Sequence, residues 1–141
     1  MISLDSKFGR IAKKQLRDQY FVWLTTVDSH GIPLPRPVWF VWENDSFLIY
    51  SQAKTHKLKH IRANPQVSLH FNSEDAKGEQ RIIIFAGEAK IDRKTPPAHK
   101  HRAYLKKYRA GIIDLNATPD QFGGEYSVAI RVTPTKLRGS E

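Results

Sequence analysis

Two hydrophobic periods divide the chain. Over residues 6–18, Phe8, Ile11, Ala12 and Leu16 fall on one stripe at helical spacing, and Ser6 stands where an N-cap belongs. Beyond it, runs of β-branched and aromatic residues are broken by turn formers, which predicts strands. These are "YFVWLTTV" (20–27), "LPRPVWFVW" (34–42), "SFLIYSQ" (46–52), "QVSLHFN" (66–72) and "RIIIFAGEAKI" (81–91), with "EYSVAIRVTPTKLRG" closing the chain. "DSHG" (28–31) and "END" (43–45) have the residue types of tight turns, and the acidic "SEDAKGEQ" joins the fourth strand to the fifth. Pro35 and Pro37 supply no ladder donor, so the start of the second strand belongs at an edge or beside a gap.

Short helices interrupt the strands. Thr55 caps one that runs to about Asn64 and is closed by Pro65. Pro96 and Pro97 open the next, with His101, Tyr104, Leu105, Tyr108 and Ile112 on one face. Thr118 and Pro119 mark the start of another. Without a β–α alternation, this order predicts a mostly β fold with short helices, an antiparallel barrel formed as a single domain over residues 1–141.

Composition narrows the chemistry. The chain has no cysteine, which removes disulfides, thiolate nucleophiles and cysteine metal sites, and is compatible with a reducing compartment. The longest strongly apolar run, "IIIFAG", falls far short of the roughly 20 residues that span a bilayer. "MISLDSKFGRIAKKQ" lacks the apolar core of a secretory signal, so a cytoplasmic protein without a membrane partner is expected. A net charge of +9 attracts polyanions, from nucleic acids to phosphorylated small molecules.

The stretch "YSQAKTHKLKHIRANP" (50–65) holds Lys54, Lys57, Lys59 and Arg62 and no acidic residue. A strand ending at Ser51 followed by a helix starting at Thr55 leaves free backbone amides, whose dipole favours an anion. The hydroxyls of Ser51 and Thr55 and the ammonium of Lys57 can converge on a phosphate there; a solvated basic helix with an ordinary threonine cap is the alternative. In "PLPRPVWFVW", alternation sends Trp39 to one face and Val38 and Phe40 to the other. That edge suits a flat ligand hydrogen-bonded to main chain, unless its tryptophans simply fill core.

Other features point elsewhere with less support. His56 and His60 lie four residues apart, and His99 and His101 flank Lys100, but neither pair has an acidic neighbour in its segment, so no metal site is expected. Residues 93–113 carry seven Lys/Arg and no acid. They form either a nucleic-acid face with Tyr104 and Tyr108 as stacking partners, a solvated face, or a positive wall around an anionic ligand. Helical spacing groups the tyrosines with Leu105 as buried residues, so nucleic acid is not the expected partner. No GxSxG, P-loop or GxGxxG signature is present.

The order of these features resembles the flavin-binding split-barrel family, the pyridoxamine 5′-phosphate oxidase-like superfamily. The resemblance rests on a proline-bearing second strand, "IYSQ", "KTHKLKHIRANPQVSLHF" and "IIIFAGEAKI", and covers about Leu16 to Arg138. The closing "VAIRVTPTKLRG" is most similar to the actinobacterial-type branch that uses the deazaflavin coenzyme F-420, while some members use FMN. The resemblance implies an antiparallel split barrel of Greek-key type, a homodimer, and cofactor sites at the subunit interface. By position, Arg36, Pro37, Val38 and Trp39 would lie along the ring, largely through backbone. Ser51, Gln52, Lys54, Thr55 and Lys57 would hold the phosphate, with Lys57 on the motif's lysine.

The redox chemistry in this family belongs to the cofactor, so the resemblance names no catalytic side chain. Water, Tyr50 or His56 are the candidate proton donors. The expected activity is hydride transfer between the cofactor and a small organic substrate, with a carrier that does not turn over as the other class. Full-length pyridoxamine phosphate oxidases hold substrate phosphate in a C-terminal extension; here the last strand is followed by little sequence, so vitamin B6 oxidation is not expected.

Overall fold

The computed structural model describes residues 2–75 and 77–140. In order these form α1 (Lys7–Asp18), β1 (Phe21–Val27), β2 (Pro33–Trp39), β3 (Val41–Glu43), β4 (Ser46–Ser51), α2 (His56–Ala63), β5 (Gln66–His70) and β6 (Ile82–Ile91). A 3₁₀ turn (Ala98–Lys100), α3 (Arg102–Asp114), α4 (Pro119–Glu125) and β7 (Val128–Ser140) follow. The seven strands make one antiparallel sheet in the order β2-β1-β5-β6-β7-β4-β3. Its two edge strands, β2 and β3, are consecutive in the chain with Phe40 alone between them. A sheet whose opposite edges are joined by one residue must curl upon itself, which makes the antiparallel split barrel.

Local chemistry explains most of the elements. The Ser6 hydroxyl accepts from the Gly9 amide at the start of α1. Asn44 and Asp45 both take positive φ (52° and 54°), the backbone a two-residue hairpin requires between β3 and β4. Thr118 and Gln121 form a complete capping box at α4. β4 is buried on both faces: Phe47 and Ile49 point into the barrel, while Leu48 and Tyr50 pack under α3 with Tyr104, Tyr108 and Ile112. Hence its sequence is a continuous apolar run and not an alternation.

Three sequence expectations need correction. The single strand expected over 34–42 is broken at Phe40, because the Phe40 amide and carbonyl are bound by α3 side chains in place of a ladder. Pro96 and Pro97 do not open a long helix; they precede the 3₁₀ turn, and α3 starts at Arg102 with His101 as N-cap, its Nδ1 accepting from the Tyr104 amide at 3.1 Å. Thr55 holds the cap position of α2, but its hydroxyl makes no cap bond; it is drawn to Ser51 Oγ (3.1 Å) and the Gln52 carbonyl (3.4 Å).

The joint at Phe40 is tightly held. The Tyr108 hydroxyl accepts from the Phe40 amide at 2.8 Å and donates its proton toward the Tyr20 or Phe40 carbonyl, each at 2.7 Å. Lys107 Nζ also donates to the Phe40 carbonyl at 2.8 Å and sits 3.9 Å above the Phe40 ring. Phe40 is fully buried, so no water can replace a lost partner. Tyr108→Phe removes the acceptor and strands the amide. It is expected to lower the unfolding free energy by about 1–3 kcal/mol, seen as a lower urea midpoint with an unchanged denaturant slope.

Candidate functional site

A cleft of ≈ 430 Å³ opens between the β1–β2 hairpin, the start of α2, and the pair α3–α4. Its volume lies in the range of small-molecule sites. The β1–β2 register places Pro33, Pro35 and Pro37 opposite Val27, Thr25 and Trp23. Since proline has no N–H, these are the non-hydrogen-bonded pairs, and the amides of Leu34, Arg36 and Val38 carry the ladder. β2 thereby fixes Arg36, Pro37, Val38 and Trp39 along one wall of the cleft.

Trp39 forms part of the apolar wall. Its ring stacks on Tyr108 (4.6 Å between centroids, 7° between planes) and on Phe122 (5.5 Å, 20°). Gly111 is required beneath it: a Cβ there would come within 2.9 Å of the indole. Phe21, Tyr104, Leu115 and Tyr126 complete the apolar lining. The result is a slot with aromatic walls, suited to a flat ring.

The other end is cationic. Lys57, in the first turn of α2, is only 8% exposed and lines the cleft with Arg36. Burial, and then the Arg36 charge, lower the Lys57 pKa to about 8. Arg36 Nε is buried without a hydrogen-bond partner. Neither cation has a carboxylate partner among the described residues. Two cations held together, partly dehydrated and unneutralised, are costly unless an anion joins them. The uncapped amides of α2 add a positive dipole end beside them.

The sequence-predicted residues divide accordingly. Arg36, Pro37, Val38, Trp39, Gln52, Thr55 and Lys57 all line the cleft. Ser51 is fully buried behind the wall, its hydroxyl donating to the Gln52 carbonyl at 3.0 Å or shared with Thr55. Gln52 also donates to Glu125 at 2.8 Å, tying the loop to α4. Lys54 is exposed in the turn before α2 and does not line the cleft. His56 is exposed and outside the lining as well, with His60 6.3 Å from it ring to ring. Among the described residues no three His, Cys, Asp or Glu converge as metal ligands. Tyr50 lines the cleft, but its hydroxyl donates to the Pro96 carbonyl at 2.5 Å, and burial and then Glu43 raise its pKa, so its proton is committed.

Sequence reasoning assigned Tyr104 to core and did not single out Phe21, Leu115, Phe122 and Tyr126. The helical stripe of Tyr104 and Tyr108 was the available signal, because tyrosines on a buried face need somewhere for their hydroxyls. Tyr108 places its hydroxyl at Phe40, whereas that of Tyr104 makes no hydrogen bond among the described residues and belongs to the cleft wall.

The sequence profile described as Pyridoxamine 5′-phosphate oxidase matches residues 10–140. The chain belongs to that family. Comparison with curated proteins gave no match. Among solved structures, a conserved hypothetical protein from Mycobacterium tuberculosis superposes with a TM-score of 0.76 at 18% identity, covering 96% of this chain and 84% of the other. An F420 reductase superposes at 0.67 with 22% identity, covering 89% and 94%. The haem-storage protein HutZ from Vibrio cholerae gives 0.64 at 15% identity, with 94% and 94% covered. At these identities the likeness establishes the split-barrel fold of the oxidase family and nothing finer. No helix among the described residues is long and apolar enough to cross a membrane.

Sulfate tests the cationic end directly, since its charge does not change between pH 6.5 and 9.5. Lys57 is protonated below about 8 and neutral above it. Sulfate affinity is therefore expected to fall as the pH rises through 8, and Lys57→Arg, which cannot lose its proton, removes that part of the fall. Calorimetric titration at fixed ionic strength reads both.

Proposed function

We propose that this member of the oxidase family is a homodimeric oxidoreductase that binds the deazaflavin coenzyme F-420 in the aromatic cleft and acts on a small organic substrate. One observation carries the reading: Arg36 and Lys57 converge without a carboxylate at one end of a slot whose other walls are aromatic. A flat ring linked to a phosphate meets both requirements. The buried Arg36 Nε, which has no hydrogen-bond partner among the described residues, fits a phosphate oxygen.

F-420 is preferred over FMN on charge. Its tail adds carboxylates beyond the phosphate, which the net +9 of the chain favours. The F420 reductase among proteins of the same fold is consistent with this choice. The homodimer is supported by Phe21 and Leu115, which line the cleft yet leave 53% and 55% of their surfaces exposed, a surface a second copy would cover.

The bound cofactor would supply two-electron hydride chemistry. The protein's part is placement. Trp39, stacked on Tyr108, cannot tilt away from the slot, and the Pro35–Pro37 strand edge holds the adjoining backbone rigid. Burial raises the pKa of Tyr104 and, with Glu43, that of Tyr50, so both stay protonated and neither serves as a base at neutral pH. Phenols with pKa values raised this far also hold their protons too tightly to donate them, and His56 lies outside the cleft, so water is left as the proton source for product.

Titration of the purified protein with F-420 and with FMN, at low and high salt, tests the assignment. Tighter F-420 binding that weakens with salt is expected; tighter FMN binding with no salt effect on F-420 rejects it. Lys57→Ala is expected to weaken either cofactor about 10–100-fold, the scale of one charged hydrogen bond. Oxidation of the reduced cofactor with quinones, enones and tetrapyrroles separates an enzyme from a carrier, which would bind without a substrate-dependent rate.

A further inference from the structure

A second and larger cleft, ≈ 710 Å³, lies between α1 and α3, with β3 as its floor. Arg10, Lys13, Lys14 and Arg17 occupy one face of α1, at spacings that run about 10 Å along the axis. Lys106 and Lys107 face them from α3. Among the described residues one carboxylate, Asp18, ion-pairs with this set, bridging Lys14 (2.8 Å) and Arg17 (3.1 Å). Arg10 spends a donor on the Asp5 carbonyl (2.7 Å) and Lys107 on that of Phe40, and neither contact neutralises charge. Lys13 and Lys106 are exposed and have no carboxylate partner among the described residues.

A solvated basic helix would turn such residues outward on a convex surface. Here two helices aim theirs across a concave one, where like charges repel unless an anion lies between them. The floor supplies a second recognition element. Trp42 lines the cleft, and its ring is held edge-on against Phe47 (5.1 Å, 78°). Its indole N–H makes no hydrogen bond among the described residues. The surface therefore offers one oriented aromatic platform beside one run of cations.

We propose that this cleft binds a nucleoside polyphosphate, with the phosphates along α1 and α3 and the base against Trp42. The length of the cation row matches a short phosphate chain, and a single platform takes a single ring. An oligonucleotide would need further platforms and a groove that continues past the helix ends. This site is distinct from the aromatic cleft: Phe40 separates Trp39, in the first, from Val41 and Trp42, in the second. The proposal does not depend on the cofactor reading.

The test is calorimetric titration of the full chain with ATP, inorganic tripolyphosphate and a single-stranded oligonucleotide. ATP is expected to bind, and Lys13→Ala/Lys106→Ala to weaken it at least tenfold with the melting temperature and FMN or F-420 titration unchanged. Lys13→Glu alone should weaken it similarly. Trp42→Phe should reduce ATP affinity while leaving tripolyphosphate affinity as it was. Failure of ATP to bind, insensitivity to the lysine variants, or competitive displacement of ATP by FMN would overturn the proposal. So would an oligonucleotide that binds more tightly than ATP, which would make the cleft a nucleic-acid surface.

Discussion

The whole arrangement depends on how the chain turns at Phe40. The two edges of a seven-stranded sheet meet there, and a polypeptide passing between them cannot satisfy both of its polar groups in either ladder. Tyr108 and Lys107, adjacent on α3, supply the missing partners from outside the sheet. Three consequences follow. The barrel is closed, α3 is fixed over β4, and Trp39 is pressed flat against Tyr108. The polar requirement of one buried residue therefore sets the position of the helix that walls both clefts.

Much of this was legible in the sequence. Periodicity located nearly every strand, and turn chemistry located the hairpins at Asp28–Gly31 and Asn44–Asp45. The break at Phe40 was not legible, because "VWFVW" satisfies a strand pattern without interruption and the competing partners lie 67 and 68 residues away. Likewise, the Thr55 hydroxyl is at the correct position for a cap, but the nearby Ser51 hydroxyl, reached only after the chain turns back, competes for it. Local signals specified where elements occur; long-range hydrogen bonds decided how they end.

The candidate site was legible to the same degree. Residues carried on β2 and at the start of α2 were found, since a proline-rich edge and an acid-free basic turn are visible in the linear chain. The opposite wall was not. Phe21, Tyr104, Leu115, Phe122 and Tyr126 come from five separate elements or connections, and each has an equally good explanation as core. The acid-free segment from 93 to 113 was visible as charge but not as orientation. In the structure, α3 turns Tyr104 toward the aromatic cleft and Lys106 and Lys107 toward α1.

The distribution of carboxylates completes the account. Behind the aromatic cleft, Arg131 is ringed by Glu43 (3.3 Å), Asp92 (3.4 Å) and the Thr95 hydroxyl (2.7 Å). Glu43 also receives His101 Nε2 at 2.6 Å; because His101 Nδ1 accepts from the Tyr104 amide, Nε2 is the nitrogen that carries hydrogen. The Thr95 hydroxyl, the Lys94 amide and then Arg131 hold the Asp92 carboxyl below the usual range, so Asp92 stays ionised at neutral pH. This network anchors the first turn of α3 and, through it, Tyr104. Its acids are thus engaged on the far side of the wall, and none reaches Arg36 or Lys57. Arg131 is neutralised by two carboxylates, whereas Arg36 and Lys57 have none among the described residues. That end of the cleft therefore carries uncompensated positive charge, which favours an anion over a cation there.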